Sequence, residues 1–403
     1  MSRIDELIAE LCLDGVAQKP LGDVGSFIRG NGLQKSDLTD DGVGAIHYGQ
    51  IHTHYGIWTT TTKSFVLAAS AAKLRRAKSG DLVIATTSED DAAVAKATAW
   101  LGKEEVAISG DAYIFEHSLD PKFVAYFFHS DQFQSQKTRY ITGTKVRRIS
   151  GESLAKIRIP VPPPEVQREI VRILDQFTEL EAELEAELEA RRIQFGFYQE
   201  SPLVYSAQGD VPWAPLGEIV RIASARTDSS VLDRATYVGV DNLVAGFGGR
   251  RDATYSANVS GTIRYEPGDI LIGNIRPYLK KVWLADRFGG ASPDVVTLSI
   301  RQGVRESILP AYLYFLLASD RFIDFSTRHA RGAKMPRGDK TAILRYEVPV
   351  PPLAEQRRIA SVLQDFYALV NDLSVGLPAE LAARRKQYEY YRDRLLTFKE
   401  LAA

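Results

Sequence analysis

The chain has 403 residues, 45% of them apolar and 25% charged, with one cysteine, Cys12. That length allows two or three domains with cores of their own; the lone cysteine excludes an intramolecular disulfide, and no apolar run approaches the roughly 18–20 residues of a membrane span. The net charge of −1 does not exclude a nucleic-acid partner. Seven acids and no base lie between Asp175 and Glu189, and outside that segment 50 basic residues face 44 acidic ones. Met1-Ser2-Arg3-Ile4-Asp5-Glu6-Leu7 carries charge where a signal peptide needs an apolar run, so a cytoplasmic address and no membrane contact are expected.

After a short helical piece, Ile4–Leu11, residues 20–159 alternate β-type runs with turn signals. Gly80–Ala85, Val106–Gly110 and Ala112–Phe115 read as strands, and Pro121–Ser130 as a helix starting at its proline. Next comes a cationic loop around Gly143, with Lys137, Arg139, Lys145, Arg147 and Arg148. Phosphates call for mobile cations and close backbone approach, and base edges for arginine or lysine donors. The loop is therefore a candidate DNA contact, the alternative being a solvated loop. His47, His52 and His54, near Tyr48 and Tyr55, leave three readings open: metal, DNA contact or solvated loop. With no cysteine nearby, no metal ligand is assigned.

Pro160–Pro164 can start a helix but not continue one. Ile170, Ile173, Leu174, Phe177, Leu180, Leu184 and Leu188 form one apolar stripe over Glu165–Glu200. Leu180 to Leu188 repeats every four residues in strong helix formers, and Pro202 is expected to end the helix.

Residues 215–348 repeat the mixture, with strands at Gly268–Gly273 and Val295–Ile300 and a helix at Pro310–Ser319. Asn274–Lys281, carrying Arg276, Tyr278 and Lys280, reads as a cationic aromatic loop; Tyr237 and Asp241-Asn242 serve the same surface or simply cap and turn. A second basic loop holds Arg328, Arg331, Gly332, Lys334 and Arg337. A second striped helix spans Ala354–Lys399, with a break expected near Gly376 and Pro378.

These parallels are a duplication. Residues 121–177 align without a gap to 310–366 at an offset of 189, with 18 of 57 pairs identical. Ser130-Asp131 pairs with Ser319-Asp320, Gly143, Lys145 and Arg148 with Gly332, Lys334 and Arg337, and Pro160-Val161-Pro162-Pro163 with Pro349-Val350-Pro351-Pro352. Gln167-Arg168 and Gln356-Arg357 follow; upstream, Pro20-Leu21-Gly22-Asp23-Val24 recurs as Pro215-Leu216-Gly217-Glu218-Ile219. The period exceeds any solenoid repeat, so the unit is a whole domain plus a helix. Ile4–Leu11 stands where the end of the central helix precedes the second copy, which suggests cyclic closure. Two matched stripes are best buried antiparallel as a coiled coil, the alternative being one core helix within each domain. The expected fold is α+β: two similar α/β domains separated by two long antiparallel helices, related by an internal pseudo-twofold duplication.

Catalytic signatures are missing. There is no Gly-x4-Gly-Lys-[Ser/Thr] phosphate loop, no Asn- or Asp-Pro-Pro-aromatic tetrapeptide and no nucleophile pattern. Phe247-Gly248-Gly249 lacks a strand-to-helix setting, and Pro293-Asp294 lacks a following Glu-x-Lys. No catalytic residue is assigned.

Taken together, the chain resembles the specificity subunit of type I restriction–modification enzymes over essentially its whole length. Ile4-Asp5-Glu6-Leu7 to Gly15-Val16, Leu21-Gly22-Asp23, Pro349-Val350-Pro351-Pro352 with Glu355-Gln356-Arg357, and Arg384-Arg385-Lys386-Gln387-Tyr388-Glu389-Tyr390-Tyr391-Arg392-Asp393 carry the resemblance. The central copy departs from the last motif, reading Phe195-Gly196-Phe197-Tyr198-Gln199-Glu200. The resemblance implies a non-catalytic subunit whose two target-recognition domains (in 1–159 and 208–348) each read half of an asymmetric double-stranded DNA site. It implies spacer helices at 160–207 and 349–403 that dock two methyltransferase subunits, with restriction/translocase subunits completing the assembly. No cofactor is expected in this chain; S-adenosylmethionine, ATP and Mg would belong to the partner subunits. A self-contained methyltransferase or nuclease with duplicated DNA-binding domains is the alternative.

Overall fold

A computed structural model describes residues 3–205, 211–254, 261–372 and 374–401. The chain divides into two compact units, one formed by Met1–Ala182 with Ala382–Ala403 and the other by Glu183–Leu381.

In the first unit, Gly25–Arg29, Ala112–His117, Leu82–Ala85 and Ala97–Trp100 lie side by side, antiparallel, with Trp58–Thr59 added in parallel at the edge. Leu82–Ala85 is buried on both faces, as its unbroken apolar run requires. Its side chains alternate between two cores. Leu82 and Ile84 join Phe123, Phe127 and Phe128 of the helix Pro121–Phe128. Val83 and Ala85 pack with Ile46, Val106 and Ile108, which belong to a smaller sheet ordered Ser64–Val66, Val43–Ile46, Val106–Ile108, Arg76–Ala77. The helix Asp131–Lys137 follows, capped by the buried Ser130 hydroxyl, which accepts from the Phe133 N–H.

The ends of the chain meet in this unit. The Val16 N–H donates to the Lys399 carbonyl at 2.8 Å, and the Leu401 N–H to the Val16 carbonyl at 3.1 Å. Gly15 makes the approach possible: its φ is 109°, and a Cβ there would lie 2.8 Å from the Lys399 oxygen. The helix Arg3–Leu11, the start of the helix Pro164–Tyr205 and the side chains of Tyr388, Leu395 and Leu396 share one apolar cluster. Arg385 Nε donates to Glu181 Oε1 at 2.6 Å, and the Phe177 and Tyr391 rings stack at 5.4 Å.

The second unit repeats the plan. Val220–Ile222, Val295–Ile300, Ile270–Gly273 and Val282–Leu284 form an antiparallel sheet in the same order as the first four strands above. Ile270 and Ile272 face the helix Pro310–Leu317, while Leu271 packs with Val238 and Tyr265 of the sheet Tyr237–Val238, Gly289–Ala291, Ile263–Tyr265. Ser319 caps the helix Asp320–Arg328 as Ser130 does its counterpart. Leu188 and Phe195 share the core with Leu363 and Val370 of the helix Leu353–Asn371.

One helix end corrects a sequence expectation. The central helix continues to Tyr205 rather than stopping at Pro202; a proline in the last turn leaves only one carbonyl of the preceding turn without a donor, which is tolerable there. The C-terminal helix is two, Leu353–Asn371 and Leu377–Leu395. Gly376 sits so close to the Ala368 and Leu369 carbonyls that a Cβ would lie 2.5 and 2.7 Å from them, which fixes the break where Gly376 and Pro378 place it.

Candidate nucleic-acid interface

Each basic loop is a small closed hairpin. Thr142 and Arg148 exchange both backbone hydrogen bonds, at 2.9 and 2.8 Å, and so do Arg331 and Arg337, both at 2.8 Å. Gly143 and Gly332 turn the two loops at φ 91° and 98°. A Cβ on Gly143 would collide with the Val146 carbonyl, so the tight turn needs glycine.

Both hairpins attach to the same place in their units. Arg147 and Arg148 pair with Thr87–Ser88, just beyond the strand Leu82–Ala85. Arg337 pairs with Ile275, just beyond Ile270–Gly273, and the Arg276 N–H donates to the Pro336 carbonyl at 2.7 Å. The loop of Arg276 and Lys280 is thereby brought against the second hairpin. Arg276 and Lys280, at φ 52° and 56°, bracket the 3-10 turn Pro277–Leu279.

The candidate cations divide by environment. Arg139, Lys145, Arg148, Arg276, Arg328, Arg331, Lys334 and Arg337 are exposed. Arg147 pairs with Asp91 at 2.8 Å, Arg331 with Asp339 at 2.8 Å and Arg337 with Asp294 at 3.3 Å. Lys280, half-buried, pairs with Asp320 at 2.6 Å beside the Phe247 ring. These partly exposed pairs orient the cations more than they stabilise the fold.

Lys137 does not belong to this surface. It is 1% exposed, and its ammonium donates to the Ala92 and Val94 carbonyls at 3.0 and 2.8 Å. Burial pulls its pKa down to about 8, against the opposing pull of Asp90 and Asp91. The reason is helical phase: Lys137 lies four residues after the buried Phe133, on the same inward face.

The three histidines act separately. His47 Nδ1 accepts from the Gly49 N–H as a helix cap, His52 Nε2 bonds the Thr87 carbonyl at 3.0 Å, and the His54 ring lies edge-on to Tyr55. Burial, helped by Lys35, lowers the His47 pKa. Among the described residues no His, Cys, Asp and Glu group is arranged to hold a metal. Asn242 is buried and accepts from the Gly239 N–H, so it makes a turn. A polar cavity of about 480 Å³, lined by Arg29, Asn31, Lys35, His47, Tyr48 and Asp111, opens in the first unit. Another of about 540 Å³, lined by Arg331, Arg337, Asp339, Lys340 and Arg345, opens beside the second hairpin. The first cavity is not legible from the sequence, since it is assembled from segments around residues 29–35, 47–48 and 109–111; the second is local to residues 331–345.

The fold and the paired hairpins define a class: a duplicated α/β chain presenting a cationic hairpin beyond the end of the same interior strand of each copy. The family model for the type I restriction modification DNA specificity domain matches residues 14–190 and 264–383, and the chain belongs to that family. It is 31% identical over 263 residues to the EcoR124I/EcoR124II type I restriction enzyme specificity subunit of Escherichia coli, covering 62% of this chain and 65% of that one. It is 30% identical over 278 residues to a putative type I restriction enzyme specificity subunit of Haemophilus influenzae, covering 64% and 68%. In fold it is similar to the type I restriction–modification S subunit of M. genitalium, with a TM-score of 0.54 at 14% identity over 94% of this chain and 96% of that one.

Proposed function

We propose that this chain is the non-catalytic DNA-recognition subunit of a type I restriction–modification complex, each α/β domain reading one half of a bipartite, asymmetric site in double-stranded DNA. The observation that carries this reading is the recurrence of one closed cationic hairpin, just beyond the end of the same interior strand, in both copies. Although only 18 of 57 aligned pairs are identical between the copies, the hairpin's glycine, its lysine and its closing bonds are the same in both. The DNA contacts come from Arg139, Lys145, Arg148, Arg276, Arg328, Arg331, Lys334 and Arg337, exposed cations that can neutralise phosphates, the arginine forks being able to bond guanine edges as well. Arg147 and Lys280 support these through their carboxylate partners.

In this reading the chain divides at 1–159, 160–207, 208–348 and 349–403, the two helical parts forming an antiparallel coiled-coil spacer. The 207/208 boundary lies outside the described residues. Two methyltransferase subunits dock on the helices and restriction/translocase subunits join them in the cytoplasm. S-adenosylmethionine, ATP and Mg are the partners' cofactors. The test is methylome sequencing of a host carrying the complete system, with residues 20–159 replaced by the matching domain of a relative. One half of the methylated site should change; a change in both halves, or in neither, would refute the division of labour.

A further inference from the structure

The two hairpins share a feature that phosphate binding does not need. Between its cations, each holds one large apolar side chain out in solvent: Val146, 43% exposed, and Met335, 54% exposed. The two are equivalent, 189 residues apart. Each directly follows the exposed lysine, Lys145 or Lys334, and lies within the span closed by the Thr142/Arg148 or Arg331/Arg337 bonds. A five-residue loop closed at both ends has little freedom to fold its apolar residue inward. Leaving such a side chain in water is unfavourable, and placing it twice at the same point of a cationic hairpin points to an apolar surface brought there by a polyanion.

Resting on the DNA-reading role proposed above, we infer that Val146 and Met335 are the apolar tips of the two hairpins and contact the bases themselves inside the groove. The flanking cations neutralise the phosphates on either side, as Lys145 and Arg148 surround Val146 and Lys334 and Arg337 surround Met335. The tip then meets the apolar parts of a base pair, either a thymine methyl group in the major groove or the face of a partly opened base step. In both cases the contact is made by dispersion and water exclusion, and it carries no charge. The differing side chains, branched and short in the first copy, long and flexible in the second, suit each hairpin to a different base step.

The experiment uses the specificity chain assembled with its methyltransferase subunits, titrated with its methylated target duplex over a salt series. Val146→Ala and Met335→Ala are each expected to weaken binding to the target roughly tenfold. Binding to unrelated duplex should stay the same, and so should the salt slope, because no phosphate contact is lost. Met335→Leu, which keeps the apolar bulk, should restore binding and guards against a folding defect. Replacing thymine by uracil through the half-site abolishes the difference between the unsubstituted and Met335→Ala complexes if a methyl group is the partner. Enhanced fluorescence of 2-aminopurine in the half-site, lost in Met335→Ala, marks an opened step instead. Target affinity unchanged by both alanine substitutions, in a complex that still methylates its own site, overturns the inference while leaving the DNA-reading role intact. Failure of the unsubstituted complex to bind any DNA selectively removes the role on which the inference rests.

Discussion

Gln167 and Gln356, 189 residues apart, make the same joint in the two units. Gln167 Oε1 accepts from the Asp120 N–H at 2.9 Å while its Nε2 donates to the Pro162 carbonyl at 2.8 Å. Gln356 Oε1 accepts from the Leu309 N–H at 2.9 Å, and its Nε2 donates to the Ser307 and Pro351 carbonyls, both at 2.8 Å. Both side chains are buried, and each ties the start of a long helix to the residue immediately before its domain helix. Gln356→Ala should cost the second unit about 1–3 kcal/mol, since it leaves buried backbone groups without partners. Urea unfolding of Gln167→Ala and Gln356→Ala checks it: each should destabilise its own unit and leave the other's transition in place.

Lys137 and the hairpin cations should separate cleanly. Lys137→Ala orphans the Ala92 and Val94 carbonyls and is expected to destabilise the first unit by about 1–3 kcal/mol, with no change in the salt slope of DNA binding. Lys145→Ala with Arg148→Ala should do the reverse, leaving unfolding unaffected and lowering the slope by up to about two. Calorimetry and a salt titration on the same preparations read both.

Acid should weaken the first unit through His129. Its Nε2 bonds the Ala97 carbonyl at 3.0 Å, and burial, with Lys96, Arg392 and Lys137 nearby, lowers its pKa to about 4. A depressed pKa means that the unfolded chain binds the proton first. The associated stability is present above about pH 6.5, where the unfolded side chain is also neutral, and is lost as pH falls toward 4. His129→Gln keeps a donor for Ala97 without the titration. Urea midpoints between pH 7 and 4.5 should fall less in this variant than in the parent chain.

The four-residue repeat should act as a ruler. Another Leu-Glu-Ala-Glu inserted after Glu187 lengthens the helix by about 6 Å and turns it by about 40°, whereas two residues turn it by about 200°. Leu188 and Phe195 lie in one core with Leu363 and Val370, a placement that the small rotation keeps and the large one destroys. The longer insertion should preserve both half-sites and widen the unread spacer by about one or two base pairs, at 3.4 Å per step; the shorter should abolish assembly. An active four-residue variant with an unaltered methylated site would show that this helix does not set the distance.

The repeated parts are legible in the sequence because repetition needs no knowledge of packing. Pro121 and Pro310 start helices, the Ser-Asp pairs cap the helices after them, and Gly376 with Pro378 breaks the C-terminal helix, all through local geometry. Lys137 misleads because a run of cations looks alike until helical phase is applied from Phe133. The pairing of Ile275 with Arg337 joins segments about 60 residues apart, and no local signal announces it. Val146 and Met335 carry no polar chemistry to draw notice; only the closed hairpins show that they have nowhere else to go.

The joint also bears on how such chains change over generations. Pro160-Val161-Pro162-Pro163 with Gln167, and Pro349-Val350-Pro351-Pro352 with Gln356, make matching backbone contacts, so the coding stretches for the two joints are interchangeable at the level of bonding. A genetic crossover within either stretch exchanges everything upstream as an intact block and severs no buried hydrogen bond of the joint. New pairings of hairpins can therefore arise in one event that leaves the bonding of the joint in place.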